Sequence, residues 1–106
     1  MKTLTSINPA TQEEVQSYPV HSSEESALIL SQTQEAQKAW AASTISLRSN
    51  CLEQLAGVLK DRAREYAKLM ALEMGKPLVQ GVGEVEKCAW LCDYYREHGE
   101  EFLMDR

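Results

Sequence analysis

The spacing of apolar positions changes character at about residue 21. Before it, Leu4, Ile7, Val15, Tyr18 and Val20 form a strand-like set on either side of the polar run Thr11-Gln12-Glu13-Glu14, and Asn8-Pro9 opens a turn between them. The pattern predicts a β-hairpin over residues 4–20. Two strands alone are marginal in water, so this hairpin needs something to lean on.

After residue 21 the rhythm is helical. Ser22 and Glu25 have capping-box spacing. Ile29, Thr33, Ala36 and Trp40 then mark one face at steps of four, three and four, and the helix fades at Ala41-Ala42-Ser43. A second helix is expected to start at Ser46, with Cys51, Leu52, Leu55, Val58 and Leu59 as its buried stripe. Gly57 inside it costs roughly 1 kcal/mol relative to alanine, which hints at close packing or marks a bare surface glycine. The charged run Lys60 to Glu65 either continues this helix or bends into a third, carrying Tyr66, Leu69, Met70 and Met74.

Leu72-Glu73-Met74-Gly75-Lys76-Pro77 reads as a complete helix end. A last turn is followed by a glycine that reverses the chain and a proline that can open the next helix. From about Val82 one side of a fourth helix carries Val85, Cys88, Ala89, Cys92, Tyr95, Gly99 and Leu103. Trp90 and Tyr94 fall on the other side, and a helix apolar on two sides lies between two layers. Glu97, Glu100, Glu101 and Asp105 crowd the negative end of its dipole, and no Gly or Asn cap follows Leu103. The expectation is a helix, or surroundings, meant to continue. The fold class is therefore mainly α: a short N-terminal β-hairpin plus about four helices.

Composition narrows the class. Hydrophobic residues at 43% and charged residues at 25% are ordinary globular values, so wholesale disorder is not expected. A chain of 106 residues should be one domain and bury only about two thirds of its unfolded surface. A net charge of -5 argues against nucleic acid. No stretch approaches the ~20 apolar residues of a membrane span, and the N-terminus lacks the apolar run of a secretory signal. Three cysteines, an odd number, fit a reduced cytoplasmic setting.

Several motifs, in order and correctly spaced, carry a resemblance. Ile7-Asn8-Pro9-Ala10-Thr11 resembles the INPATGE turn of many aldehyde dehydrogenases, with Gln12 where glycine is usual. Ala39-Trp40 resembles the aromatic that ends the family's first helix. Arg48 with Leu52 to Leu59 resembles its RxxxLxxLAxxL segment, and Leu72 to Pro77 its LEMGKP signature. Glu84 to Lys87, Leu91 to Tyr95 and Glu97-His98-Gly99 are most similar to bacterial succinate-semialdehyde dehydrogenases. The resemblance covers nearly the whole chain.

It implies a parent enzyme with an NAD(P)-binding α/β domain, a catalytic domain and an oligomerisation hairpin, using NAD or NADP. Within it, residues 1–21 would be a hairpin arm and residues 22–106 the helical lead-in of the cofactor-binding domain, itself incomplete. The family reaction has a cysteine thiolate attack the aldehyde, a hydride pass to nicotinamide, and a glutamate activate the water that releases the acid. Those residues belong to later segments. No catalytic and no cofactor-binding residue is expected in this chain, and alone it should be inactive and bind no cofactor. Gly81-Val82-Gly83 lacks the third glycine and the preceding strand of a dinucleotide fingerprint. The expected partner is the remainder of the dehydrogenase or a homo-oligomer, with no nucleic acid and no membrane.

Few side chains suggest local chemistry. Cys88 and Cys92 share a helix face, but zinc needs about four ligands and only His98 and Cys51 could be recruited. All three thiols are expected to be small buried hydrophobes. His21, His98 and Lys76 read as solvated or hydrogen-bonded groups, Glu97 to Glu101 as a solvated face, and Trp90, Tyr94 and Tyr95 as core or contact residues. The resemblance offers one metal site. In several family members the acid at Glu73, with backbone carbonyls matching Ser6 and Ile7, holds a monovalent cation. The rival reading of the whole chain is a self-standing helical module that dimerises or binds another protein through its two-sided last helix.

Overall fold

A computed structural model describes residues 2–105. Strands β1 (Thr3–Ile7) and β2 (Glu14–Pro19) precede helices α1 (Ser23–Ala42), α2 (Ile45–Asp61), α3 (Ala63–Met74) and α4 (Leu78–Leu103). The expected hairpin and four helices are all present. The outer bounds of the two expected regions, Met1 and Arg106, lie outside the described residues.

The hairpin is antiparallel, pairing Leu4 with Tyr18 and Thr5 with Ser17, with an irregularity between Ser6 and Ile7. Asn8 organises its turn. The Asn8 Oδ1 accepts from Ala10 N at 2.9 Å, and the Asn8 carbonyl accepts from Gln12 N at 2.8 Å. Gln12 adopts φ 65, which explains why a glycine is usual in such a turn. Glutamine closes it all the same, and its Nε2 donates to the Pro9 carbonyl at 3.1 Å.

The capping box at α1 forms as the spacing predicts. Glu25 N donates to Ser22 Oγ at 3.1 Å, and Ser22 N donates to Glu25 Oε2 at 2.7 Å. The start of α2 differs from expectation. Thr44, not Ser46, is the cap: its backbone is extended and its Oγ1 accepts from Leu47 N at 3.1 Å, whereas Ser46 is already inside the helix. The chain bends at Arg62, which divides α2 from α3. Gly75 ends α3 in the left-handed conformation with φ 72.

The packed faces are narrower than the periodicity suggests. In α2 only Ala56 is buried. Leu52 and Leu59 are half-buried, while Cys51, Leu55 and Val58 of the expected stripe are exposed. In α4 the buried residues are Gly81, Val85 and Ala89; Cys88, Tyr95 and Leu103 are exposed. The apolar core consists of Ala56, Ala63, Ala67, Val85 and Ala89, and among the described residues no large side chain is fully buried. Both α2 and α3 pack along α4, and β1 lies against α3. Helix α1, 20 residues long, buries none of its residues.

Close approach of α3 and α4 explains the small core. A Cβ on Gly81 would lie 2.9 Å from the Ala67 Cβ and 3.1 Å from its Cα. Gly57, by contrast, faces open space. The tight glycine is thus on α4, not on α2.

Bulk dimensions agree with an uncovered structure. The chain exposes 8621 Å². A compact monomer of its mass exposes about 5,900 Å². Its radius of gyration is 18.3 Å, against about 13 Å for a compact domain of this length.

The two glycines should respond oppositely to alanine. Gly81→Ala should destabilise by about 1–3 kcal/mol because two backbones must separate. Gly57→Ala should stabilise by up to about 1 kcal/mol through helix propensity. Urea unfolding of both variants checks this; equal shifts would show that the α3–α4 crossing is not tight.

Candidate functional site

Of the concave surfaces that border α4, two are mainly apolar. The larger, about 380 Å³, is an apolar trough lined by Leu59, Tyr66, Leu69, Met70, Val85 and Cys88, with Glu73 its one carboxylate. It exists because α3 supplies residues three and four apart that face the α4 side, while the alanine core leaves their larger neighbours uncovered. The smaller, about 200 Å³, lies at the other end of the α2–α4 seam, where Ile45, Arg48, Leu52, Tyr95, Gly99 and Leu103 meet.

The cysteines correct one expectation. Cys51 and Cys88 are exposed and Cys92 is half-buried; all three are free thiols. They sit on faces whose apolar neighbours this chain does not cover. No hydrogen bond or ion pair reaches any of them among the described residues. No group of three or more His, Cys, Asp or Glu is placed to hold a metal among the described residues.

Trp90, Tyr94 and Tyr95 are not core either, being 63%, 38% and 48% exposed. Trp90 and Tyr94 belong to an aromatic ladder along one face of α4, whereas Tyr95 lines the groove with Gly99 and Leu103. Tyr94 lies 6.1 Å from Trp90, 4.7 Å from His98 and 6.2 Å from Phe102 between ring centres. The steps of four through positions 90, 94, 98 and 102 were the available signal; Phe102 and His98 complete a ridge that the apolar pattern alone leaves in two pieces. His98 also lies within 4.0 Å of Glu97 and 3.9 Å of Glu101. His21 approaches Glu25 at 3.8 Å and is well exposed. Lys76 pairs with Glu84.

Glu73 sits in the penultimate position of α3, half-buried. Ser6 and Ile7 close β1, the strand that lies against α3, and a Cβ on Gly75 would meet Pro9 Cγ at 3.3 Å. The structure brings the two elements together. Among the described residues no hydrogen bond joins the Glu73 carboxylate to Ser6 or Ile7.

Among the described residues, one ion pair joins two helices. Lys60 of α2 donates to Asp93 of α4 at 2.8 Å, and this bond holds the Asp93 carboxyl below its usual range, with Arg96 adding to the effect. Arg48 is the opposite case. Its Nε is buried without a hydrogen-bond partner. Sequence patterning gave no sign of this, since an arginine on an amphipathic helix ordinarily reads as solvated.

Comparison with known proteins follows the same outline. The pattern of the aldehyde dehydrogenase family matches residues 1–106. A probable NADP+ succinate-semialdehyde dehydrogenase of Synechocystis sp. is 38% identical over 102 residues, which are 96% of this chain and 22% of that protein. A succinate semialdehyde dehydrogenase of Escherichia coli, described as using NAD(P)+, is 36% identical over 92% of this chain and 21% of its own length. The crystal structure of succinic semialdehyde dehydrogenase from Streptococcus pyogenes, in complex with NADP+, superimposes with a TM-score of 0.88 at 31% identity, covering 94% of this chain and 22% of that one. The chain therefore spans about a fifth of the length of the relatives it matches.

The Lys60–Asp93 pair sets an acid dependence. A carboxyl with a lowered folded pKa stabilises fully above its ordinary range, and the stabilisation fades as pH falls through that range to the folded value. Thermal midpoints in a pH series should drop on acidification, and Asp93→Asn should lower the neutral midpoint and flatten the acid slope. Identical slopes in the two proteins would mean that the pair does not join α2 to α4.

Proposed function

Because the chain belongs to the aldehyde dehydrogenase family, we propose that it is the N-terminal part of an NAD(P)-dependent enzyme oxidising succinate semialdehyde to succinate. The names of the relatives that share 38% and 36% of its residues support the substrate. This chain's own contribution is scaffolding. The observation that carries this is the uncovered surface: α1 buries nothing, and the trough and the α4 ridge present apolar side chains that the other described residues leave uncovered. Such faces suit helices that brace a larger body.

Gly81-Val82-Gly83 does not have the setting of a dinucleotide fingerprint. Gly81 and Gly83 lie inside α4, not between a strand and a helix, and Ala67 fills the space beside Gly81. The cofactor, NAD or NADP, is assigned to the rest of the parent enzyme, as are the nucleophile and the general base. We place that enzyme in the cytoplasm, in keeping with three free thiols; no helix of the described residues is long and apolar enough to cross a membrane.

Incubated with succinate semialdehyde and NAD+ or NADP+, the isolated chain should produce no reduced nicotinamide above a blank. Turnover would overturn the scaffolding assignment.

Within the scaffold we assign Glu73 and the carbonyls of Ser6 and Ile7 to a monovalent cation, a grouping supported by the packing of β1 on α3. Hard oxygen donors suit such an ion. The thermal midpoint should be higher in potassium chloride than in tetramethylammonium chloride of equal ionic strength, and Glu73→Gln should erase the difference. Equal midpoints for the unsubstituted chain in the two salts would remove the assignment.

A further inference from the structure

Helix α1 is held by its own near neighbours in sequence. All 20 of its residues are exposed, whereas α2, α3 and α4 each bury at least one. Among the described residues no other element packs along it. Its side-chain bonds are local. The Ser22–Glu25 box closes the first turn, Thr33 Oγ1 donates to the Ile29 carbonyl at 2.8 Å, Lys38 pairs with Glu35 at 2.9 Å, and Ser43 Oγ donates to the Trp40 carbonyl. Among the described residues no side-chain hydrogen bond or ion pair runs from α1 to another element. The other helices are tied across the fold: Lys60 joins α2 to Asp93 of α4, and Gly81 of α4 meets Ala67 of α3.

Local bonds give such a segment little margin. Helix formation has a costly nucleus, and most helical stability in proteins comes from a packed face, which α1 lacks. Its two ends are unequal. Glu24 and Glu25 suit the positive end of the dipole, but the last turn has no basic residue. Ser43 leaves the helix extended, at φ -71 and ψ 158, without a glycine reversal. Inside, the Thr33 hydroxyl bonds back to the preceding turn, a habit that weakens helices. Opening α1 need not disturb what lies on either side. Its helix spans about 30 Å, and a flexible chain of the same length has a root-mean-square span of about 25 Å. The contacts of β1 with α3 and of α2 with α4 can therefore persist while α1 is open.

We propose that α1 is a conditional strut: it opens and closes as a unit of its own while the body of α2, α3 and α4 stays folded. Few buried contacts and solvent-exposed backbone bonds are the marks of a segment at the low end of local stability. The proposal goes beyond the dehydrogenase reading and needs neither substrate nor cofactor; a strut that stays closed would leave that reading untouched.

Native-state hydrogen exchange on the full 106-residue chain tests it. Amides of residues 27–42 should exchange within about tenfold of an unstructured chain, and those of residues 67–71 and 85–89 at least about a hundredfold more slowly than the first set. Equal protection in the two sets, high or low, would overturn the proposal. The two tryptophans allow a second measurement, since Trp40 stands in α1 and Trp90 in α4. In a Trp40→Phe background, Trp90 emission follows the body alone. Adding Ser22→Ala, which removes the capping hydroxyl, should lower the helical circular-dichroism signal and leave the urea midpoint read at Trp90 where it was. A midpoint that falls with the helical signal, or a helical signal that does not change, would overturn the independence of α1.

Discussion

The approach of α4 to α3 at Gly81 and Ala67 sets the terms for the rest of the molecule. With a would-be Cβ only 2.9 Å from Ala67, two helix backbones meet almost directly. The core that fits such spacing is one of alanines and a single valine. Small side chains let helices come close, but they remove little apolar area from water. The large side chains are displaced to the flanks of the contact. Leu69, Met74, Trp90, Tyr95 and Leu103 are all about half exposed or more. Along α3 and α4 the exposed area thus follows from the small core; α1 adds its own, since none of its residues is buried.

Where a local rule acts within a few residues, the sequence was readable. The Ser22–Glu25 box, the Gly75 reversal and the Asn8 turn depend on hydrogen bonds and φ values fixed by neighbours, and each formed where its residues stand. The cap of α2 was misread by two positions because Thr44 and Ser46 offer the same hydroxyl. Only the backbone, extended at Thr44, distinguishes them. Which face packs was harder. Periodicity identifies an apolar stripe, but α2 buries only Ala56 and leaves Cys51, Leu55 and Val58 exposed. A stripe tells a reader that burial is intended, not that this polypeptide supplies the cover.

The same distinction governs the site. The ordered motifs from Ile7 to Gly99 were enough to indicate the family, because they combine turn and cap residues with fixed spacing. The thiols were expected to be buried and are not, since Cys51 and Cys88 lie on helix faces that the other described elements do not cover and Cys92 is only half-buried. Arg48 could not be singled out from sequence. An unmet hydrogen-bond donor is a property of three-dimensional surroundings, and the arginine appears in a family segment whose spacing is explained by the leucines around it.

The trough, the aromatic ridge and all of α1 face outward together. The groove beside Arg48, about 200 Å³, opens at the other end of the α2–α4 seam. The core of small side chains joins α2, α3 and α4 but includes no residue of α1 and none of the aromatic ridge. A seam made by alanine and glycine holds helix backbones together while removing little apolar area from water, so packing here fixes the positions of the helices and leaves their large side chains open.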